Sequence, residues 1–182
     1  MAAGSTLYRI EVNVSDLDAG AYHTLKIRVA QHSSEDLLRV VARVLAYCFA
    51  FEEGLSFGRG LDEVEDPALV LLDATGGIDH WIDVGYPGAD RLHRASKAAR
   101  RVTVLCHKPV EGLLRERAKR PIFGAEAISV WLVAPQLVEA LAGRLERSSE
   151  WSIVRTGEEL LVSVGEASIS GAFVQTTLAA LA

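Results

Sequence analysis

The sequence predicts an α/β (α+β) fold, a mixed β-sheet flanked by helices. Three observations carry that expectation. The N-terminal segment holds two runs in which apolar and polar residues alternate, the pattern of half-buried strands. The middle of the chain, Ser34 to Cys106, reads helix, strand, strand, strand, helix, strand, with strands apolar enough to be covered on both faces. From Trp151 onward the chain returns to short β-like runs separated by turn residues.

The elements follow in order. Leu7 to Val14 places Tyr8, Ile10, Val12 and Val14 on one face and Leu7, Arg9, Glu11 and Asn13 on the other. Ser15 to Gly20 supplies turn chemistry, and His23 to Ala30 alternates again, so a hairpin is expected. Ser33 or Ser34 is expected to cap a helix with Glu35 and Asp36 in its first turn, where the helix dipole favours negative charge. Leu37, Leu38, Val41, Val44, Leu45 and Cys48 recur at helical spacing along its buried stripe, and it is expected to end near Phe49–Phe51. Leu55 to Arg59 reads as a short strand, Leu61 to Pro67 as an acidic loop with Asp62, Glu63, Glu65 and Asp66, and Leu69 to Leu72 as a buried strand. After Pro87 a basic helix is expected over Ala89–Arg100, with Leu92, Ala95 and Ala99 inward. The strand Val102–Cys106, a helix over Val110–Lys119 and the strand Ile128–Val133 follow. Pro135 opens a helix through Glu146, consistent with proline at the first helical position. Strands at Trp151–Arg155, Leu160–Val164 and Ala167–Gln175 complete the chain.

At 182 residues the chain is expected to form a single domain over residues 1–182, with the helix-and-strand core at about 34–107. Composition is 49% hydrophobic and 24% charged, which argues against disorder. The formal net charge of −5 disfavours non-specific nucleic-acid binding through a broadly basic surface. Cys48 and Cys106 lie in apolar runs and read as buried thiols, not as a disulfide framework or zinc site. No basic segment followed by an apolar one opens the chain, and no apolar run reaches membrane-spanning length, so a cytoplasmic protein with no membrane partner is expected.

The stretch from Gly76 to Pro87 is the most informative. It reads as one strand entered from a turn, with Asp79, Trp81 and Asp83 on one face and Ile78, His80, Ile82 and Val84 on the other. An acid within an apolar strand is costly unless paired, hydrated or metal-bound. If the turn centres on Thr75–Gly76, residues whose numbers sum to about 151 lie opposite one another, which puts Asp83 across from Ala68 with Asp66 one pair further along the same face. Asp66 and Asp83 are then near enough to share a divalent ion or a water. Asp79, roughly 13 Å along the strand from Asp83, is not. Carboxylate oxygens suit Mg²⁺ or Mn²⁺.

Each acid also has a plainer reading. Asp83 is a strand-end acid bonded to backbone N–H groups or to Arg91 or Arg94. Asp66 is a solvated loop acid, and Glu35 is a helix-terminal charge with Arg39 as its i+4 partner. The five histidines show no metal-ligand spacing; His80 is expected to point into the core and His107 to end a strand. The basic run Arg115, Arg117, Lys119, Arg120 reads as a solvated helix face.

Several segments in one order resemble the YaeQ family of small bacterial proteins over nearly the whole chain. They are Asn13-Val14-Ser15-Asp16-Leu17-Asp18, His32-Ser33-Ser34-Glu35, Phe57-Gly58-Arg59-Gly60-Leu61, and Gly77 to Pro87 followed by Arg91. The resemblance implies a variant of the PD-(D/E)XK nuclease-like fold with extra strands. It matches Glu35 to the superfamily's helix acid and Asp83 to its third-strand acid. Two positions depart: the Pro-Asp dipeptide falls at Pro67-Ala68, and the lysine position is Gly85. Arg91, Arg94 or Lys97 stand near enough in sequence to substitute, but arginine stays charged and serves phosphate binding better than proton transfer.

Two functions follow as expectations. The favoured one is a binding or regulatory protein for nucleic acid or a protein partner, with a degenerate nuclease-like site and Arg91, Arg94 and Arg39 as contacts. The alternative is a Mg²⁺- or Mn²⁺-dependent nuclease or phosphodiesterase that uses Asp83, Asp66 and Glu35 as metal-binding and catalytic residues.

Overall fold

The structure, a computed structural model, describes residues 5–58 and 66–181. It is a mixed α+β arrangement in which ten strands join in one sheet and four helices cover it, counted among the described residues. The acidic loop residues Asp62, Glu63 and Glu65, and the Arg59-Gly60-Leu61 part of the Phe57–Leu61 motif, lie outside the described residues.

Strands β1 (Thr6–Asp16) and β2 (Ala21–Gln31) form the expected hairpin, with Thr6 opposite Gln31 and Asp16 opposite Ala21. Tyr8, Ile10, Val12 and Val14 are buried, as the alternation requires. Helix α1 (Leu37–Phe49) crosses the inner face. Its cap is Asp36, not Ser33 or Ser34: the Asp36 carboxylate accepts from the Arg39 N–H at 2.7 Å. Glu35 therefore precedes the helix, and no acid occupies its first turn. Ser34 instead lies in a turn in which its hydroxyl meets His32 Nδ1 at 2.8 Å.

Strands β3 (Ser56–Phe57), β4 (Leu69–Leu72) and β5 (Ile78–Val84) are antiparallel neighbours. The register Leu69–Ile82, Val70–Trp81, Leu71–His80 keeps the expected sum of 151, and a bulge shifts it at Leu72. The turn that sets this register is locally built. The Asp73 carboxylate accepts from Thr75 N–H, the Thr75 hydroxyl and Gly77 N–H, and those bonds lower its pKa. Leu72 sits at the mouth of this turn and is exposed, so β4 is buried along only part of its length.

Helix α2 (Ala89–Ala98) runs without a loop into β6 (Ala99–Cys106), which lies parallel to β5. The helix stops earlier than its periodicity suggests because Ala99 already adopts extended backbone and pairs with Ile78. Helix α3 (Glu111–Ala118), strand β7 (Ile128–Val133) parallel to β6, and helix α4 (Pro135–Ala142) follow. Helix α4 ends at Ala142, before the expected Glu146, with Gly143 as its C-cap and the Gly143 N–H donating to the Glu139 carbonyl. Strands β8 (Ser148–Thr156), β9 (Glu159–Val164) and β10 (Ala167–Thr177) close the chain.

The strand order is β2-β1-β8-β9-β10-β7-β6-β5-β4-β3. Strand β10 is the seam: Ala167–Ala172 pair with β9 and Phe173–Thr177 with β7. One apolar cluster packs α1 and α4 against residues such as Ile82, Val84, Leu105 and Phe173. A second packs Leu92 and Ala95 of α2 and Leu113 of α3 against Trp81, Val102 and Val104 on the other face. Strand β5 thus has a helix on each side, and its alternating side chains serve different layers. Cys48 and Cys106 are buried free thiols, and burial raises the pKa of both. No helix among the described residues is long and apolar enough to cross a membrane.

Candidate functional site

The C-terminal end of β5 opens onto a cleft of about 370 Å³, bounded by the start of α1, the Gly85–Gly88 segment and the residues just after β6. Glu35, Asp66 and Asp83, the three acids singled out from sequence, all line it, as do Arg39 and Arg91. Arg94 is exposed on α2 and is not among the lining residues.

Asp83 is 2% exposed. Its burial is tolerated because the carboxylate receives three donors: Arg91 Nε donates to Oδ2 at 2.7 Å, Arg91 Nη2 to Oδ1 at 2.8 Å, and Trp81 Nε1 to Oδ2 at 2.9 Å. Trp81 is two residues before Asp83, so the period of the strand puts donor and acceptor on one face. The Arg91 guanidinium also lies 5.3 Å from the Trp81 ring centroid and donates to the Asp66 backbone carbonyl at 2.6 Å. One arginine therefore joins β5, α2 and the segment leading into β4.

Glu35 is 7% exposed. Its carboxylate accepts from Arg43 Nη2 at 2.7 Å and from His32 N–H at 3.3 Å, and Arg39 Nε stands 3.3 Å away. The i+4 partner expected from sequence is present, but the closer partner is Arg43, eight residues on. Arg43 is buried and also donates to the Ala30 carbonyl; burial lowers its pKa despite the opposing charge of Glu35. An arginine amid Val40, Val41, Val44 and Leu45 was a legible sign of a buried charge needing an acid.

Both acids line the cleft, but their partners come from different elements. Asp83 belongs to the α2 side with Trp81, whereas Glu35 belongs to the α1 side with Arg39 and Arg43. Among the described residues no group of three or more His, Cys, Asp or Glu is placed to hold a metal ion. Asp79, set aside from sequence, pairs instead with Arg101 at 2.5 Å.

Two glycine and alanine positions are built into the packing. Gly85 adopts φ +86°, where a lysine would be strained, and its N–H donates to Leu105 O at 2.9 Å. Ala68 is buried in the apolar cluster beneath α1. His80 is buried as expected, with Nε2 2.8 Å from the Thr103 hydroxyl. Sequence reasoning passed over His107. It follows β6, lines the cleft, is 3% exposed, and neither ring nitrogen has a hydrogen-bond partner among the described residues. Burial, with smaller contributions from Lys108 and Arg39, pushes its pKa down to about 4 against the opposing pull of Asp36.

The fold and the cleft define a mixed α+β protein with an arginine-neutralised acidic site at a strand end. The chain belongs to the YaeQ family: the family model described as YaeQ protein matches residues 1–172. The uncharacterized YaeQ proteins of Escherichia coli (strain K12) and Salmonella typhi are each 35% identical to it over 107 residues. Those matches span 59% of this chain and 59% of each relative. The crystal structure of the YaeQ protein from Xanthomonas axonopodis pv. citri superposes with a TM-score of 0.87 at 28% identity, covering 94% of this chain and 98% of that one. The YaeQ protein from Pseudomonas syringae gives 0.83 at 32% identity, covering 93% and 94%.

Proposed function

We propose that this chain is a non-catalytic binding protein that uses the cleft to recognise phosphate-bearing nucleic acid. One observation carries the reading: the Arg91 guanidinium already neutralises Asp83 through two hydrogen bonds, so the central acid is a structural anchor and not a free metal ligand. The order α1, β3, β4, β5, α2, β6 supports descent from a PD-(D/E)XK nuclease-like core, with the remaining strands as additions. A buried alanine at position 68 and a left-handed glycine at 85 then stand where that chemistry needs an acid and a lysine. Arg39, whose side chain is 31% exposed, and the exposed Lys108 put cationic groups in the cleft. A protein partner is the other occupant of such a surface.

The test is a titration of Mg²⁺ and Mn²⁺ against the native protein and Asp83→Asn, followed by melting temperature, together with cleavage and binding assays on single- and double-stranded DNA and RNA. The expected result is no metal-dependent stabilisation, no cleavage above the variant's background, and binding that weakens steeply with salt. Metal-dependent cleavage lost in Asp83→Asn would overturn the proposal in favour of a phosphodiesterase using Asp83, Asp66 and Glu35. Absence of salt-dependent binding at low ionic strength would remove nucleic acid and leave the protein partner.

A further inference from the structure

The buried imidazole of His107 has no role in the ion-pair network that accounts for Glu35, Arg43, Asp83 and Arg91. Buried polar groups in folded proteins are ordinarily hydrogen-bonded, so one without a partner among the described residues calls for an explanation. The ring lies in the wall of the cleft beside Gly85, its Cε1 3.7 Å from where a Cβ on that glycine would stand. Beside it, Lys108 is exposed, with its ammonium 5.9 Å from the Tyr86 ring centroid. Arg39 reaches the same cleft from α1, held there by the Val84 carbonyl at 3.1 Å and by Glu35. The cleft's 370 Å³ corresponds to roughly a dozen waters at about 30 Å³ each, room for a phosphate group and its nearest waters. Asp36 also lines it, but one of its oxygens is committed to the helix cap.

We propose that His107, Lys108 and Arg39 form an oxyanion subsite that takes one phosphate group, His107 giving the directed N–H and the two cations the charge. The inference rests on the binding reading above and names the chemistry of its ligand. A neutral imidazole has one donor and one acceptor, so a phosphate oxygen satisfies the donor while the cleft's waters satisfy the other nitrogen. Arg39 and Lys108 supply charge-assisted bonds, which are about twice as strong as neutral ones. The sources of such a group are a nucleic-acid backbone phosphodiester and a free phosphate or phosphate monoester.

The experiment follows the histidine side-chain ¹⁵N and ¹H signals of the full chain at neutral pH, titrated first with inorganic phosphate and then with a short single-stranded oligonucleotide. The expected result is a saturable shift of the His107 signals with millimolar phosphate, with the buried His80 as an unmoved control. Lys108→Ala should weaken that response about fivefold to tenfold, as expected for loss of one charged contact. His107→Leu removes an unpartnered polar group and so keeps the fold, and it should weaken the binding of a fluorescein-labelled oligonucleotide read by anisotropy. No shift of His107 with either ligand, or a shift that Lys108→Ala leaves unchanged, overturns the subsite. Oligonucleotide binding that never moves His107 overturns the subsite and leaves the binding reading standing. A phosphate response without oligonucleotide binding supports the subsite and removes nucleic acid as its source.

Discussion

Replacing Arg91 by alanine isolates what the Asp83 pair contributes. The substitution deletes both guanidinium bonds to Asp83, the contact with the Asp66 carbonyl and the cover over Trp81, leaving the carboxylate one donor, Trp81 Nε1. Asp83 keeps its place in the interior, with 3% of its side chain exposed, so its charge is left largely desolvated. Breaking a buried pair from one side costs about 3–5 kcal/mol. The partial exposure of Arg91, 19% for its side chain, argues for the lower end, about 3 kcal/mol. For a chain of this size that is a fall in melting temperature of roughly 6–12 °C. Urea unfolding followed by circular dichroism, on native protein, Arg91→Ala, Asp83→Leu and the double variant, forms a cycle. The double variant should recover about 2 kcal/mol or more relative to the sum of the singles, because it removes the stranded charge. A cost below about 1 kcal/mol for Arg91→Ala would refute the argument that the pair is desolvated. A melting temperature in Mg²⁺ that rises for Arg91→Ala but not for the native protein would show that the guanidinium occupies a cation's place.

Two further outcomes follow from particular contacts. His80 and His107 both have pKa values displaced from 6.5 to about 4, chiefly by burial, so the unfolded chain binds more protons than the folded one between those values. The stability they contribute is present above pH 6.5 and is lost as pH falls towards 4, by about 2 kcal/mol per histidine between pH 7 and 5; denaturation midpoints across that range in a non-phosphate buffer should show it, with His107→Leu about halving the dependence. Gly112→Ala would set a Cβ 2.3 Å from the Tyr86 ring, which lines the cleft and donates to the Pro109 carbonyl; despite alanine's better helix propensity it should cost about 2 kcal/mol and lower ligand affinity, measured by urea unfolding and by titration.

Much of the frame was legible because it is set by local chemistry. The turn at Asp73–Gly77 fixes the β4–β5 register, so pairing by sum placed Asp83 at the strand end before any coordinates. Alternation in β1 marked its buried face. The site was less legible for two reasons. Sequence spacing along one strand does not say which layer a residue on another element joins, and Glu35 and Asp83 ended in different layers. The partners that saturate them carry no motif: Arg43 shows only as a charge among apolar helix residues, which does not name its acid, and Trp81 reads as core. His107 reads from sequence only as a strand-end histidine, and its burial without a partner among the described residues is what singles it out.

The parallel pairing of β1 with β8 has a consequence for how the chain is made. Arg9 lies opposite Ser148, so the N-terminal hairpin emerges from the ribosome long before the strand that completes it. Until then β1 presents an open row of backbone donors and acceptors and the uncovered apolar row Ile10, Val12 and Val14, a template for wrong pairing. Nascent chains stalled before residue 148 should therefore depend on holding chaperones, and release from them should wait on the arrival of Trp151 and Ile153 beside β1.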